Sequence, residues 1–252
     1  MNFNGLFFRF LAAAGMILEA AILIRMYKVN LHRELRMFFA YTAFSLCRSV
    51  TLTAIRNYLG FRSPEYFITY WLTMVADITL AFFVIQEVYA KVLYRYEGLR
   101  KLSSIIFRWA FMVLALVAGI TALASPAADR DFLYSGILLL DRSAMMIELG
   151  LIVLLFVFAK SLALGWRECV FGIAVGMCFY CSLEVAALSL RTHYANAVAE
   201  LYSTVKPIFV VITLGIWTAY IYRAERASNN IFIPRNHNLD EWNNAVLQFL
   251  NR

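Results

Sequence analysis

Seven apolar stretches of 20 or more residues follow one another along the chain, at about 6–27, 35–59, 66–90, 103–124, 132–159, 168–190 and 199–222. At 1.5 Å per residue each one, wound as a helix, reaches across a hydrocarbon core about 30 Å thick. Lipid offers no partner to a backbone N–H or C=O, so spans this rich in Leu, Ile, Phe and Ala must satisfy their backbone internally, as helices. The connections are short and carry turn signals at Gly60/Pro64, Ser125/Pro126 and Gly165, which leaves no room for a soluble domain between spans. The expected fold is an all-α polytopic membrane protein with seven transmembrane helices. Composition agrees: 15% of residues are charged, against about 25% in soluble domains. No convincing internal repeat is visible, so an inverted-repeat transporter fold has little support.

Orientation follows from the basic residues. One set of alternate connections holds 15 Lys and Arg, the other holds 5, and Arg48, Arg142 and Lys206 lie inside spans. The positive-inside rule then places the N-terminus outside and the C-terminus in the cytoplasm. The same distribution accounts for the net charge of +7 without nucleic acid as a partner. The start, Met1-Asn-Phe-Asn-Gly-Leu, lacks a basic region and an early cleavage site, so the first run reads as a span and not a signal peptide. Residues 1–227 form the bundle, and 228–252 a cytoplasmic linker and helix. In that tail, Asn238 and Glu241 resemble a capping box. Leu239, Trp242, Val246, Phe249 and Leu250 then recur at helical spacing, as in a short amphipathic helix on the inner surface or against a partner protein.

The spans are not uniformly apolar. Counted from the outer end at 1.5 Å per residue, Lys206, Glu184, Asp141, Arg142, Arg48 and Asp77 all fall about 9–17 Å deep. Three are acidic and three basic, on five helices. A charge facing lipid is costly, so balanced charges at one level are expected to face inward and pair. Helix phase gives the same face to Tyr70, Thr73 and Asp77, and to Tyr41, Ser45 and Arg48; Asp141 and Glu148 also share one. Glu19 and Glu148 lie deeper, and Glu87 lies near the cytoplasmic end of its span. Pro207, directly after Lys206, loosens the helix beside the charges. Two uses of this layer stay open from sequence. One is a structural ion-pair network that fixes helix order. The other is an outward-facing pocket, lined by Tyr70, Tyr202 and the charged groups, for a small polar or amphipathic ligand. A proton or ion path through Glu19, Glu148 and Glu87 is a further expectation.

Other chemistry finds little footing. His32, His193 and His237 fall in loops or the tail, which excludes bis-histidine heme inside the bundle. No HExxH or Gly-x-Ser-x-Gly occurs. Asp77 and Asp141 lack the glycine motifs of an intramembrane aspartyl dyad. Lys206 on the last span invites comparison with retinal proteins, but the span before it lacks their aromatic–proline pattern. Cys178-Phe-Tyr-Cys181 has no histidine companion and reads, with Cys47 and Cys169, as packing cysteine. Neither a metal nor a cofactor is expected, and the chain reads as a non-enzyme.

Ile85-Gln-Glu87-Val-Tyr89, Phe107-Arg108-Trp109 and Arg167-Glu168-Cys-Val-Phe-Gly172 resemble uncharacterised seven-transmembrane-helix proteins of acidobacterial genomes, over most of residues 35–222. The resemblance implies a bacterial inner-membrane address and brings no assigned activity. The expected function is receptor-like or scaffold, with a protein partner at the cytoplasmic face. The alternatives are a small secondary transporter or ion pathway, and an accessory subunit of a larger membrane complex.

Overall fold

A computed structural model describes residues 3–58, 60, 64–94, 97–124, 130–161, 168–193 and 195–223. Every regular element among them is a helix: α1 (Phe3–Lys28), α2 (Leu31–Glu34), α3 (Arg36–Tyr58), α4 (Pro64–Val92), α5 (Glu97–Ala124), α6 (Arg130–Ser161), α7 (Glu168–His193) and α8 (Ala195–Arg223). Six contain a stretch long and apolar enough to cross a membrane: Phe10–Lys28, Arg36–Arg56, Ile68–Val92, Asp141–Lys160, Cys169–Ala187 and Val205–Arg223. By length and composition this is an integral membrane protein. The remaining long helix, α5, has 28 residues. The tail unit 228–252, with its expected amphipathic helix, lies outside the described residues.

The long helices close into a ring. Helix α1 packs on α8 and α3, α3 on α4, α6 on α7, and α7 on α8. Helix α4 is the hub, meeting α3, α5, α6 and α7, whereas among the described residues α5 touches only α4 and α6. The outer side of α5 is correspondingly apolar and exposed at Trp109, Met112, Val113 and Leu116. Such a face suits lipid, where an exposed Leu carries no penalty. For the same reason, burial of Leu or Ile does little to hold these helices together; close packing and polar contacts must do it.

The dense core sits at one end of the bundle. Ile22, Met26, Leu35, Phe38, Ile85, Tyr89, Leu155 and Ile173 are almost fully buried and form one cluster. They come from the ends of α1, α4 and α6, the starts of α3 and α7, and Leu35 between α2 and α3, which is the end that carries Arg25, Lys28, Lys91 and Lys160. Tyr89 ties α4 to α6 by donating its hydroxyl to Leu151 O at 2.6 Å. Arg25 lies 4.8 Å over the Tyr222 ring and joins α1 to α8. The chain turns from α1 toward α3 at Asn30, whose left-handed φ of 58° is a conformation that Asn tolerates better than most residues.

Glu87 belongs to this end as well. Its carboxylate accepts from Met37 N (3.2 and 3.1 Å) and from Phe38 N (3.1 Å). It thereby caps the first turn of α3, where N–H groups have no helical partner. Replacing Glu87 with alanine is expected to lower stability by about 1–2 kcal/mol, the range for losing a cap. Glu87→Gln, which keeps one acceptor, is expected to lose less. Thermal unfolding in detergent, followed by tryptophan fluorescence, checks both.

Helices α7 and α8 approach most closely. A Cβ added at Gly172 would collide with Tyr220 Cβ, and one at Gly176 with Trp217 Nε1. Only glycine fits at either place. The pair forms a Gly-x-x-x-Gly stretch, a spacing that lets membrane helices come together backbone to side chain. Trp217 fills the notch and donates to Ile173 O at 3.2 Å.

Candidate functional site

Above the core the helices part around a cavity of about 320 Å³, lined by α1, α3, α4, α6, α7 and α8. Ser49 and Leu52 on α3, Tyr70 on α4 and Lys206 on α8 stand at one end of it; Thr42, Ala81, Leu214 and Trp217 stand at the other. Tyr70 to Ala81 and Lys206 to Trp217 are each eleven residues, so the cavity runs about 16 Å along the bundle. Its floor rests on the buried cluster at the basic end. The opposite end, where the Lys206 side chain is 38% exposed, is taken as its mouth.

The mouth is built from paired charges. Arg48 donates to Asp77 Oδ2 at 2.8 Å, joining α3 to α4. The same guanidinium lies 5.9 Å from the centre of the Tyr70 ring, within reach of a cation–π attraction. Lys206 Nζ stands 2.9 Å from Glu184 Oε1, joining α8 to α7. That pair is lopsided: the lysine side chain is 38% exposed and the carboxylate 3%. Asp141 lines the mouth from α6 and lies within electrostatic reach of Lys206. Pro207 has no N–H, so the carbonyl of Ser203 loses its helical partner just where Lys206 leaves α8.

The floor holds two carboxyl groups from opposite walls. Glu19 on α1 is 5% exposed and accepts from Ser45 Oγ at 2.6 Å. Glu148 on α6 is 3% exposed and faces the Cys181 thiol, with Sγ to Oε2 at 3.7 Å. Neither has an ion-pair partner among the described residues. Tyr41, Tyr180 and Trp217 supply rings here; Tyr41 meets Trp217 edge-on with centroids 6.1 Å apart. Three polar atoms facing this space find no hydrogen-bond partner in the described chain: Glu19 Oε2, Asp77 Oδ1 and the Thr213 hydroxyl.

The structure thus brings together Arg48, Tyr70, Asp77, Asp141, Lys206, Glu19 and Glu148, and sets Glu184 behind Lys206. Two expected members stand elsewhere. Glu87 does not line the cavity, because its oxygens are taken by the first turn of α3. Arg142 does not line it either: it follows Asp141, and neighbours on a helix point about 100° apart. The side chain of Tyr202 lies outside the described residues. Thr73 shares its stripe with Asp77 but turns its hydroxyl back to Thr69 O and Tyr70 O. Sequence reasoning missed Cys181, which is a donor facing Glu148 as well as a packing residue, and it missed Tyr180, Thr213 and Trp217. Their helical phase was legible; which face looked inward was not.

The chain matches no protein-family model, no curated protein and no solved structure. Function therefore rests on the cavity itself.

Proposed function

We propose that this is a receptor-like membrane protein whose cavity takes a small ligand from outside the cell. The reading includes seven spans, with α5 as the seventh. It places the N-terminus outside and the C-terminus in the cytoplasm of a bacterial inner membrane, as the uneven spread of Lys and Arg implies. The observation that carries it is a cavity whose floor rests on the Lys/Arg-rich end and whose other end, toward the Lys/Arg-poor side, holds the partly exposed Lys206. A structural network alone needs paired charges but no room between them.

In this reading the ligand acts through α8. That helix lines the cavity from Lys206 to Trp217, and Pro207 gives it a point at which it bends at low cost. Occupancy that reorganises the Lys206–Glu184 pair repacks α8 against α7 and moves its cytoplasmic end. A protein partner at that face reads the movement, and no enzyme activity of the chain is required. A transport reading has one observation in its favour. Glu19 and Glu148 are buried acids without a basic partner among the described residues, a placement also used to carry protons.

A single-cysteine experiment tests the outward mouth. With Cys47, Cys169, Cys178 and Cys181 replaced by serine, Ser49→Cys is expected to react with a membrane-impermeant thiol reagent added to intact spheroplasts. Lys91→Cys in the same background is expected to react only after permeabilisation. Labelling of Ser49→Cys solely from the inside, or from neither side, removes the proposal.

A further inference from the structure

We propose that the cavity selects a small amphipathic organic cation, with its ammonium held at the acidic floor that Glu19 and Glu148 help to line and its apolar body along the wall toward the mouth. This rests on the ligand-binding reading above and adds the sign and class of the ligand.

Charge decides the sign. The two cations of the cavity are already engaged, Arg48 by Asp77 at 2.8 Å and Lys206 by Glu184 at 2.9 Å. Deeper in, Glu19 and Glu148 line the same cavity from α1 and α6, with a hydroxyl and a thiol as their only hydrogen-bond partners among the described residues. Asp77 lies within electrostatic reach of both, and Arg48, held by Asp77, within reach of Glu19. A cation entering here meets carboxyl oxygens that no cation pairs with among the described residues, whereas an anion finds no unengaged cation there to receive it.

Hydrogen bonding points the same way. Glu19 Oε2 is buried, acceptor-only when ionised, and without a donor in the described chain; the Thr213 hydroxyl beside the same space also lacks a partner. Leaving such a group unmade is costly, by about 1–3 kcal/mol. A primary ammonium brings three N–H donors and no acceptor, which matches that deficit. The rings of Tyr41 and Trp217 at the floor add the aromatic surface to which organic cations are drawn.

The walls fix the rest of the ligand. Met74, Met145 and Met177 line the cavity from three helices, and thioether side chains adapt to apolar bodies of varied outline. The volume, about 320 Å³, lies at the lower end of small-molecule pockets. A metal ion is a poorer fit, because no group of three or more His, Cys, Asp or Glu among the described residues is placed to hold one.

The test uses the intact chain in lipid nanodiscs and three probes of one shape: 2-phenylethylamine, neutral 2-phenylethanol and anionic 3-phenylpropionate. Calorimetric titration is expected to show the amine binding about tenfold or more tighter than the alcohol, which corresponds to about 1.4 kcal/mol, and no binding of the acid. Glu19→Gln and Glu148→Gln, which preserve shape, are each expected to weaken the amine about tenfold and leave the alcohol unchanged. The three-probe comparison on the unmodified protein stands even if a variant does not fold. Equal binding of amine and alcohol, or preference for the acid, overturns the cation while leaving a ligand pocket in place. No binding by any probe to protein whose Ser49→Cys form labels from outside also overturns it. A Ser49→Cys form that does not label sinks the pocket reading itself.

Discussion

Replacing Arg48 with methionine is expected to lower stability by about 2–3 kcal/mol, at or below the low end of the range for removing one partner of a buried ion pair. The low end applies because both side chains keep some contact with the cavity, at 21% and 25% exposure. The loss exceeds the strength of the bond itself. Asp77 Oδ1 already has no hydrogen-bond partner among the described residues, and removing Arg48 strips Oδ2 of its donor at 2.8 Å. What remains is a carboxylate on α4, facing a cavity that holds other acids, with no guanidinium beside it. The change also removes the cation from the Tyr70 ring.

The second half of the cycle separates structure from function. In Arg48→Met/Asp77→Leu the orphaned charge is gone, so most of the lost stability is expected to return; paired buried charges are often replaceable by apolar groups of similar size. The coupling between the two sites is then read from the four unfolding midpoints of the cycle. If the pair serves only to fix α3 against α4, the double variant binds 2-phenylethylamine as the parent does. If the mouth charges belong to a working site, stability recovers and binding does not. A double variant as unstable as Arg48→Met alone would show that the pairing is not what holds this edge of the bundle.

The level of this charged layer was legible from the sequence because helix rise is fixed. Counting 1.5 Å per residue put Arg48, Asp77, Asp141 and Lys206 at one depth, and all four line one cavity. Phase was legible for the same reason, hence the shared face of Tyr41, Ser45 and Arg48. Contacts between helices were not, because they depend on which helices are neighbours. Glu87 looked like the cytoplasmic-end member of a proton path; it became a cap only because the start of α3 lies beside it. Ser45 could not be assigned to Glu19, nor Cys181 to Glu148, without knowing that α1 meets α3 and α6 meets α7. Arg142 was drawn into the layer by its depth alone, although its neighbour Asp141 already claimed the inward face.

Gly172 and Gly176 show the same limit from the other side, and they carry the second large effect. The stretch Gly172-Ile-Ala-Val-Gly176 announces a close helix contact, but only the fold supplies the partner, α8. A methyl group at Gly172 meets Tyr220 Cβ, an atom fixed to the backbone, so α7 and α8 must move apart. At Gly176 it meets the Trp217 indole, which is braced by Phe38 at a centroid distance of 5.1 Å and tied to Ile173 O. Neither neighbour yields easily. Each alanine variant is expected to cost about 3 kcal/mol, the upper part of the range for overpacking, and Gly172→Leu is expected to leave little folded protein. Gly215→Ala is the control: nothing lies within 4 Å of the added atom, and alanine favours a helix over glycine by about 1 kcal/mol. Monodisperse yield and tryptophan near-ultraviolet dichroism report the result. A coupling is expected as well, because the nearest atoms met at Gly176 all belong to the Trp217 indole. Trp217→Ala removes the ring, so Gly176→Ala should cost far less stability in that background than in the parent. If it costs as much in both, the contact between α7 and α8 is not built as described, and the floor of the cavity with it.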